Sequence, residues 1–258
     1  MELHHRLGQA KRGLTNQVRP SEIQTSETLK FVRASIPSNT SRILEVGCGN
    51  GELAKQLHNL GHEVIAIDSS AKAIEDAQRL GIDARKADFP DFEETPFDVI
   101  IFTRSLHHIR PLASALDQAY RLLKPAGLLV VEDFAYGDTS EFTAAWYYRL
   151  LKLLESCNVL LPAADSFGRK LLSAGGDISL WRNHIHEMNT ALEVLQAIGE
   201  RFKVLEAKLA PYLYRYTSAM VLDDERGGQI ISCVLELEKK TGAEIEHFLI
   251  GRRFVAKT

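Results

Sequence analysis

The chain has 258 residues, 45% hydrophobic and 25% charged, with 31 basic against 34 acidic side chains and a formal net charge of −3. That length buries a real core, as one large domain or a domain with insertions. The near balance of charge gives no general reason to expect a nucleic-acid backbone or an anionic membrane as partner, and no apolar run is long enough to span a bilayer.

Residues 1–40 carry one predicted helix, "SEIQTSETLKFVRASI", whose neighbourhood is placed to act as a lid. From 41 to 136 short apolar runs alternate with longer amphipathic stretches. "RILEVG" reads as a strand and "ELAKQLHNLG" as a helix closed by Gly61; "EVIAID" is a second strand, and "SAKAIEDAQRLG" a helix closed by Gly81. "IDARKAD" is a weak third strand. "FDVIIFT" is a fourth, continuous and apolar as a strand buried on both faces must be. "PLASALDQAYRLL" places Leu and Ala at helical spacing, and "KPAG" is predicted as a turn before the fifth strand, "LLVVEDF".

Residues 137–190 break this rhythm with the aromatic helical stretch "EFTAAWYYRLLKLLESCNVLL" and a Gly/Ser-bearing segment ending in "SAGGD". They read as a helical cap inserted after the fifth strand, over the ligand edge of the sheet. From 191 to 258 the core resumes with a helix in "MNTALEVLQAIGERF" and a strand in "KVLEAKLA". Helical material then covers "PYLYRYTSAMVL" and "GGQIISCVLELEKKTGA", before a last strand in "HFLIGRRF". Repeated strand–helix–strand units predict an α/β fold with a doubly wound, mostly parallel, seven-stranded sheet. Ligands of such sheets bind beyond the carboxyl ends of the strands, so the residues that follow each strand are the candidates.

Three cysteines, Cys48, Cys157 and Cys233, are odd in number and far apart. With no CxxC or Cys/His ligand spacing, they argue against a disulfide scaffold or a metal site and suit a reducing, cytoplasmic setting. The opening "MELHHRLGQAKRG" lacks the apolar stretch of a signal peptide.

Glycines at 47, 49 and 51 stand where the first strand hands over to a helix. Either they make a tight corner, or they open a turn so that a ligand can touch the backbone. A dinucleotide-binding GxGxxG needs glycine at position 52, which is Glu52. An acid at the start of that helix opposes a diphosphate, whereas a cationic ligand without phosphate meets no such conflict, and Glu45 adds attraction for it. Asp68, at the tip of the second strand, suits the two hydroxyls of a ribose. Asp88 followed by Phe89 sets a polar acceptor beside an aromatic face. Together they describe a pocket for an amino acid, a ribose and a base.

"EVGCGNG", "AIDSS", "KADF", "FDVIIFTRSLHHI" and "LLKPAGLLVVEDF" resemble, in order and spacing, the motifs of class I S-adenosylmethionine-dependent methyltransferases. The similarity is greatest to the small-molecule branch with "LHH" after strand four. The resemblance covers residues 41–136 and implies a Rossmann-like fold, S-adenosylmethionine as cofactor, S-adenosylhomocysteine as product and a small-molecule acceptor. It implies that Glu45 and Gly47 hold the methionyl ammonium, that Gly49 and Gly51 let the cofactor approach, and that Asp68 binds the ribose. Asp88 and Phe89 would take the adenine, Thr103 and Arg104 would lie under the sulfonium-bearing chain, and Cys48 and Ser69 complete the set. Alternatives are a nicotinamide-dependent oxidoreductase, or a non-catalytic protein that retains the S-adenosylmethionine pocket.

If the acceptor is a hydroxyl or a protonated amine, a base must remove a proton, and histidine suits neutral pH. His107 and His108 are the candidates, with packing or capping of the turn as the alternative. Arg104 either pairs with an acidic substrate or forms a salt bridge to Glu132 or Asp133. Trp181, His184 and His186 in "LWRNHIHEM", with Tyr212, Tyr214 and Tyr216 in "PYLYRY", either line a substrate pocket or form an apolar cap interface. The two histidines share no helix face and have no acidic or cysteine partner, so no metal is expected there. Cys48 reads as a small filler of a buried turn rather than a nucleophile.

Overall fold

The computed structural model of the chain describes residues 18–39, 41–162, 166–183 and 188–258. Seven strands form one sheet: β1 (Arg42–Val46), β2 (Glu63–Asp68), β3 (Asp83–Lys86), β4 (Phe97–Thr103), β5 (Leu123–Phe134), β6 (Lys203–Ala210) and β7 (Gly251–Lys257). Their order is β3-β2-β1-β4-β5-β7-β6. The first five run parallel, and β7 runs antiparallel between β5 and β6.

The continuous apolar runs of β1, β2 and β4 arise because both faces of the sheet are covered. Leu44, Ile65, Ile100 and Val131 face one layer with helices α4 (Leu112–Leu122) and α8 (Ala191–Arg201). Ile43, Ala66, Ile101 and Val130 face the other, with α1 (Pro20–Ser35), α2 (Glu52–Asn59) and α3 (Ala71–Arg79). Neighbouring residues on a strand point to opposite layers, and this parity later separates two acids on β5.

A third core joins α5 (Glu141–Ser156), α6 (Phe167–Ser173) and α7 (Ser179–Asn183) to α9 (Leu213–Ser218) and α10 (Glu225–Glu244). Ile23 of α1 also enters it. The core of the expected cap is therefore drawn from three separated stretches of sequence, not from residues 137–190 alone. Among the described residues no helix is long and apolar enough to cross a membrane.

Two element boundaries differ from the sequence expectation. "KPAG" lies inside β5, not before it: Leu123 already pairs with Phe97, and the ladder resumes at Leu128 opposite Val99 after an irregularity. Ala126, at φ +64°, carries the turn chemistry as an interruption within the strand. The last strand also starts later than "HFLIGRRF", because Phe248 and Ile250 are drawn into the cap core and pairing begins at Gly251.

Candidate functional site

The turn after β1 is tied to the end of β2. The N–H groups of Gly47 and Cys48 both donate to the Ile67 carbonyl, at 2.8 and 3.0 Å, and Gly51 N–H closes the turn on Cys48 at 3.0 Å. Gly47 and Gly49 have φ of +75° and +54°, a region that L side chains rarely enter. A Cβ on Gly47 would lie 2.4 Å from the Cβ of Ser105, whereas one on Gly49 would meet nothing within 4 Å. Gly47 is thus restricted by packing although it lines the cleft, and Gly49 has open space on its Cβ side. The Cys48 thiol is pushed up to about 12 by burial and by the neighbouring Glu45 and Asp68 carboxyls, which keeps it inert.

Asp68 caps this arrangement. Its Oδ2 accepts the Gly49 N–H at 3.0 Å and its Oδ1 the Ser70 N–H at 2.8 Å, so one carboxylate joins the glycine turn to the start of α3. Each oxygen keeps a further lone pair. Asp68 lines a cleft of about 720 Å³ with Gly47, Ser69, Asp88, Phe89, Arg104 and His108, so seven of the sequence candidates meet at one strand edge. Phe89 is fixed edge-on against Phe102, with ring centroids 5.1 Å apart.

Glu45 lies beneath the turn and does not line the cleft. It is buried, and its Oε2 has no hydrogen-bond partner among the described residues. Burial raises its pKa to about 8, against the opposing charge of Arg104 and a backbone N–H from Ala54. Burial therefore favours the neutral carboxyl, and a further cation brought close to it would favour the anion. Among the described residues, no group of three or more His, Cys, Asp or Glu side chains is placed to hold a metal ion.

The remaining candidates are dispersed. Cys48, Gly49, Gly51 and Thr103 surround the cleft without forming its wall, and Thr103 is buried at the end of β4. The 3₁₀ turn Leu106–His108 turns His108 towards the cleft and His107 away from it. Burial and the adjacent His107 lower the pKa of His108, with Asp133 opposing, so its imidazole is a free base near neutrality. His107 is buried against a recess of about 30 Å³ shared with Phe134 and Asn189. Trp181 and Tyr212 are buried in the cap core and do not line the cleft. His184 and His186 lie outside the described residues.

Four groups organise the edge of the site: Asn189, Thr28 and Arg215, which the sequence did not single out, and Asp133, expected only as a partner of Arg104, which meets Glu132 instead. Asp133 accepts the His107 N–H, and Asn189 Nδ2 donates to the carbonyls of Leu106 and Ile109, both at 3.0 Å. Thr28 and Arg215 bind Glu132 from α1 and α9. Only Asp133 carried a signal, its place at the carboxyl end of β5.

A family model described as a methyltransferase domain matches residues 14–179, well over half of the chain, and the chain belongs to this family. It is 33% identical over 112 residues to a ubiquinone biosynthesis O-methyltransferase of Xylella fastidiosa, covering 40% of this chain and 46% of that protein. It is 30% identical over 165 residues to an uncharacterized methyltransferase of Schizosaccharomyces pombe, covering 57% of this chain and 63% of that one. The chain thus spans about half the length of the first relative and under two thirds of the second. Its fold is also that of the N-methyltransferase NodS from Bradyrhizobium japonicum in complex with S-adenosyl-L-homocysteine. That likeness has a TM-score of 0.54 at 15% identity, over 93% of this chain and 88% of that one.

Proposed function

We propose that this chain transfers a methyl group from S-adenosylmethionine to a small organic acceptor, at oxygen, nitrogen or carbon, leaving S-adenosylhomocysteine. The observation that carries the reading is the orphaned, buried Glu45 Oε2 beneath a glycine turn that is open at Gly49. An unpartnered carboxyl there matches a ligand ammonium, and the open glycine matches a ligand that must touch the backbone. Family membership and the shared fold support it. Residues 41–136 serve as the cofactor-binding core and 137–190 as the cap, and the three free cysteines suit a reducing, cytoplasmic setting.

The bound donor supplies an electrophilic methyl on a sulfonium, for in-line displacement. Everything else falls to the chain. Glu45 holds the ammonium end, and the free lone pairs of Asp68 accept the ribose hydroxyls. Asp88 takes the adenine amino group, with Phe89 against the ring. Positioning donor and acceptor in this cleft supplies much of the acceleration. His108, at the cleft wall and unprotonated near neutrality, takes the acceptor proton where there is one to remove.

Calorimetric titration with S-adenosylhomocysteine tests the reading. Asp68→Ala should weaken binding by about ten- to a hundredfold, the worth of hydrogen bonds to a charged group. Undiminished affinity in a folded variant sinks the assignment.

A further inference from the structure

Arg104 sits at the end of β4 with φ +58°, in a left-handed conformation that a long side chain avoids unless its surroundings impose it. Its N–H donates to the Glu132 carbonyl at 2.7 Å, which holds the backbone there. Its side chain has no comparable hold. Among the described residues only Nη1 is engaged, at 3.3 Å from Thr28 Oγ1 and 3.4 Å from Glu132 Oε2.

Glu132 does not need that contact. Its Oε1 takes Arg253 Nε at 2.8 Å and Nη2 at 2.5 Å, while its Oε2 takes Thr28 Oγ1 at 2.6 Å and Arg215 Nη2 at 3.0 Å. Those four bonds fill the acceptor sites of a carboxylate. Arg104 is a fifth donor at the edge of hydrogen-bond range, with its side chain 37% exposed in the cleft wall.

The charges do not balance. Three guanidiniums surround the one ionised carboxylate of Glu132. Asp133 points to the opposite layer, towards His107, and Glu27 is committed to Lys30 and Lys239. Glu45 is within electrostatic reach of Arg104, but burial disfavours its charge and no ion pair or hydrogen bond joins the two. Glu238 is occupied by the N–H groups of Tyr212, Leu213 and Tyr214. The buried Nε of Arg215 has no partner among the described residues, a second sign that this cluster has donors to spare. The surplus positive charge reaches the cleft through Arg104. In the sheet order, that point lies beyond the glycine turn from Asp68 and Asp88.

We propose that Arg104 receives a ligand carboxylate at the β4–β5 end of the cleft. The inference rests on the methyltransferase reading. Two carboxylates of one chemistry can arrive there: the amino-acid end of the donor, or an acid group on the acceptor. A guanidinium offers either a planar fork with several free N–H groups.

Arg104→Asn tests it, because asparagine tolerates the left-handed backbone and should keep the melting temperature at or above that of the wild type. Arg104→Lys keeps the charge without the fork. S-adenosylhomocysteine and 5′-methylthioadenosine, which lacks the amino-acid end, are titrated by calorimetry. Aromatic hydroxy acids and their matching carboxamides are then titrated into protein saturated with S-adenosylhomocysteine. A loss of about tenfold or more for S-adenosylhomocysteine in Arg104→Asn, with 5′-methylthioadenosine unchanged and partial recovery in Arg104→Lys, supports the donor carboxylate. Unchanged nucleoside affinity, with a wild-type preference for acids over amides that disappears in Arg104→Asn, supports the acceptor carboxylate. If the variant changes neither quantity, the proposal is overturned and Arg104 belongs to the scaffold. If the wild type itself fails to bind S-adenosylhomocysteine, the functional reading fails first and takes this inference with it.

Discussion

Asp133 grips His107 at two points: its Oδ2 accepts the His107 backbone N–H at 3.1 Å, and its Oδ1 stands 2.7 Å from Nδ1. The second contact is at ion-pair distance without being aligned as a hydrogen bond. Oδ1 also accepts the Phe134 N–H at 3.0 Å, and the His107 ring packs 4.0 Å from His108 and 4.5 Å from Phe134. One buried carboxylate therefore fixes the turn that carries His108 into the cleft. Asp133→Ala strands buried donors at a cost of about 1–3 kcal/mol, a fall in melting temperature of roughly 2–12 °C. Scanning calorimetry checks this, and a wild-type melting curve would remove the role. S-adenosylhomocysteine affinity should hold, because Asp68 and the glycine turn stand on other strands.

Glu132 answers the same question on the opposite layer. Burial works against its charge, but Arg215, Arg253, Thr28 and Arg104 overcome this and hold its pKa down at about 2. A carboxylate depressed in the folded state stabilises the protein above its unfolded value, and that stability is lost as pH falls towards about 2. Glu132→Ala leaves the arginines uncompensated, and breaking such a buried pair costs about 3–5 kcal/mol. Urea denaturation at pH 7 measures the loss. Repeating it at low pH should show the gap between variant and wild type closing.

The two acids also show where the sequence stops being legible. "LLVVEDF" marks a strand with acids at its ligand end, but not that Glu132 turns to α1 while Asp133 turns to the α4 layer. The parity follows from the pleat. The partners do not: Thr28, Arg215 and Arg253 are 104, 83 and 121 residues away in sequence. The glycine turn, Asp68, Asp88 and Phe89 were readable because each follows a strand directly, where strand order alone fixes position. Trp181 and Tyr212 look alike in sequence whether they line a pocket or fill a core, and only packing buries them among the cap helices.

Glu45 gives the pH dependence of the opposite sign. Burial raises its pKa from 4.5 to about 8, with Asp68 adding to the rise and Arg104 opposing it. The folded chain then binds more protons than the unfolded chain, so stability is fully present below pH 4.5 and falls as pH rises through about 8. Glu238, raised to about 7 by burial, contributes to the same limb. Glu45→Gln should flatten the limb in part, seen in melting temperatures between pH 5 and 9. Binding of a cationic ligand should ionise Glu45 and release a proton. Titrations at pH 7 in two buffers of different ionisation enthalpy measure that release, which Glu45→Gln should abolish.

Gly47 and Gly49 differ in their surroundings within one turn: Gly47 is tightly packed and lines the cleft, whereas Gly49 faces open space. Both have positive φ, so alanine at either position strains the backbone by about 1–2 kcal/mol. At Gly47 the new Cβ also drives into Ser105 at 2.4 Å, while at Gly49 it meets nothing within 4 Å. Gly47→Ala should therefore lower the melting temperature much further than Gly49→Ala, and Ser105→Gly in the same chain should restore part of the loss by vacating the space. Gly49→Ala should melt only slightly early yet, on the proposed reading that the cofactor approaches the turn at Gly49, bind S-adenosylhomocysteine poorly. Calorimetry run beside thermal melting separates the two effects. Equal losses of stability and affinity at both positions would mean that the turn is a corner and nothing more.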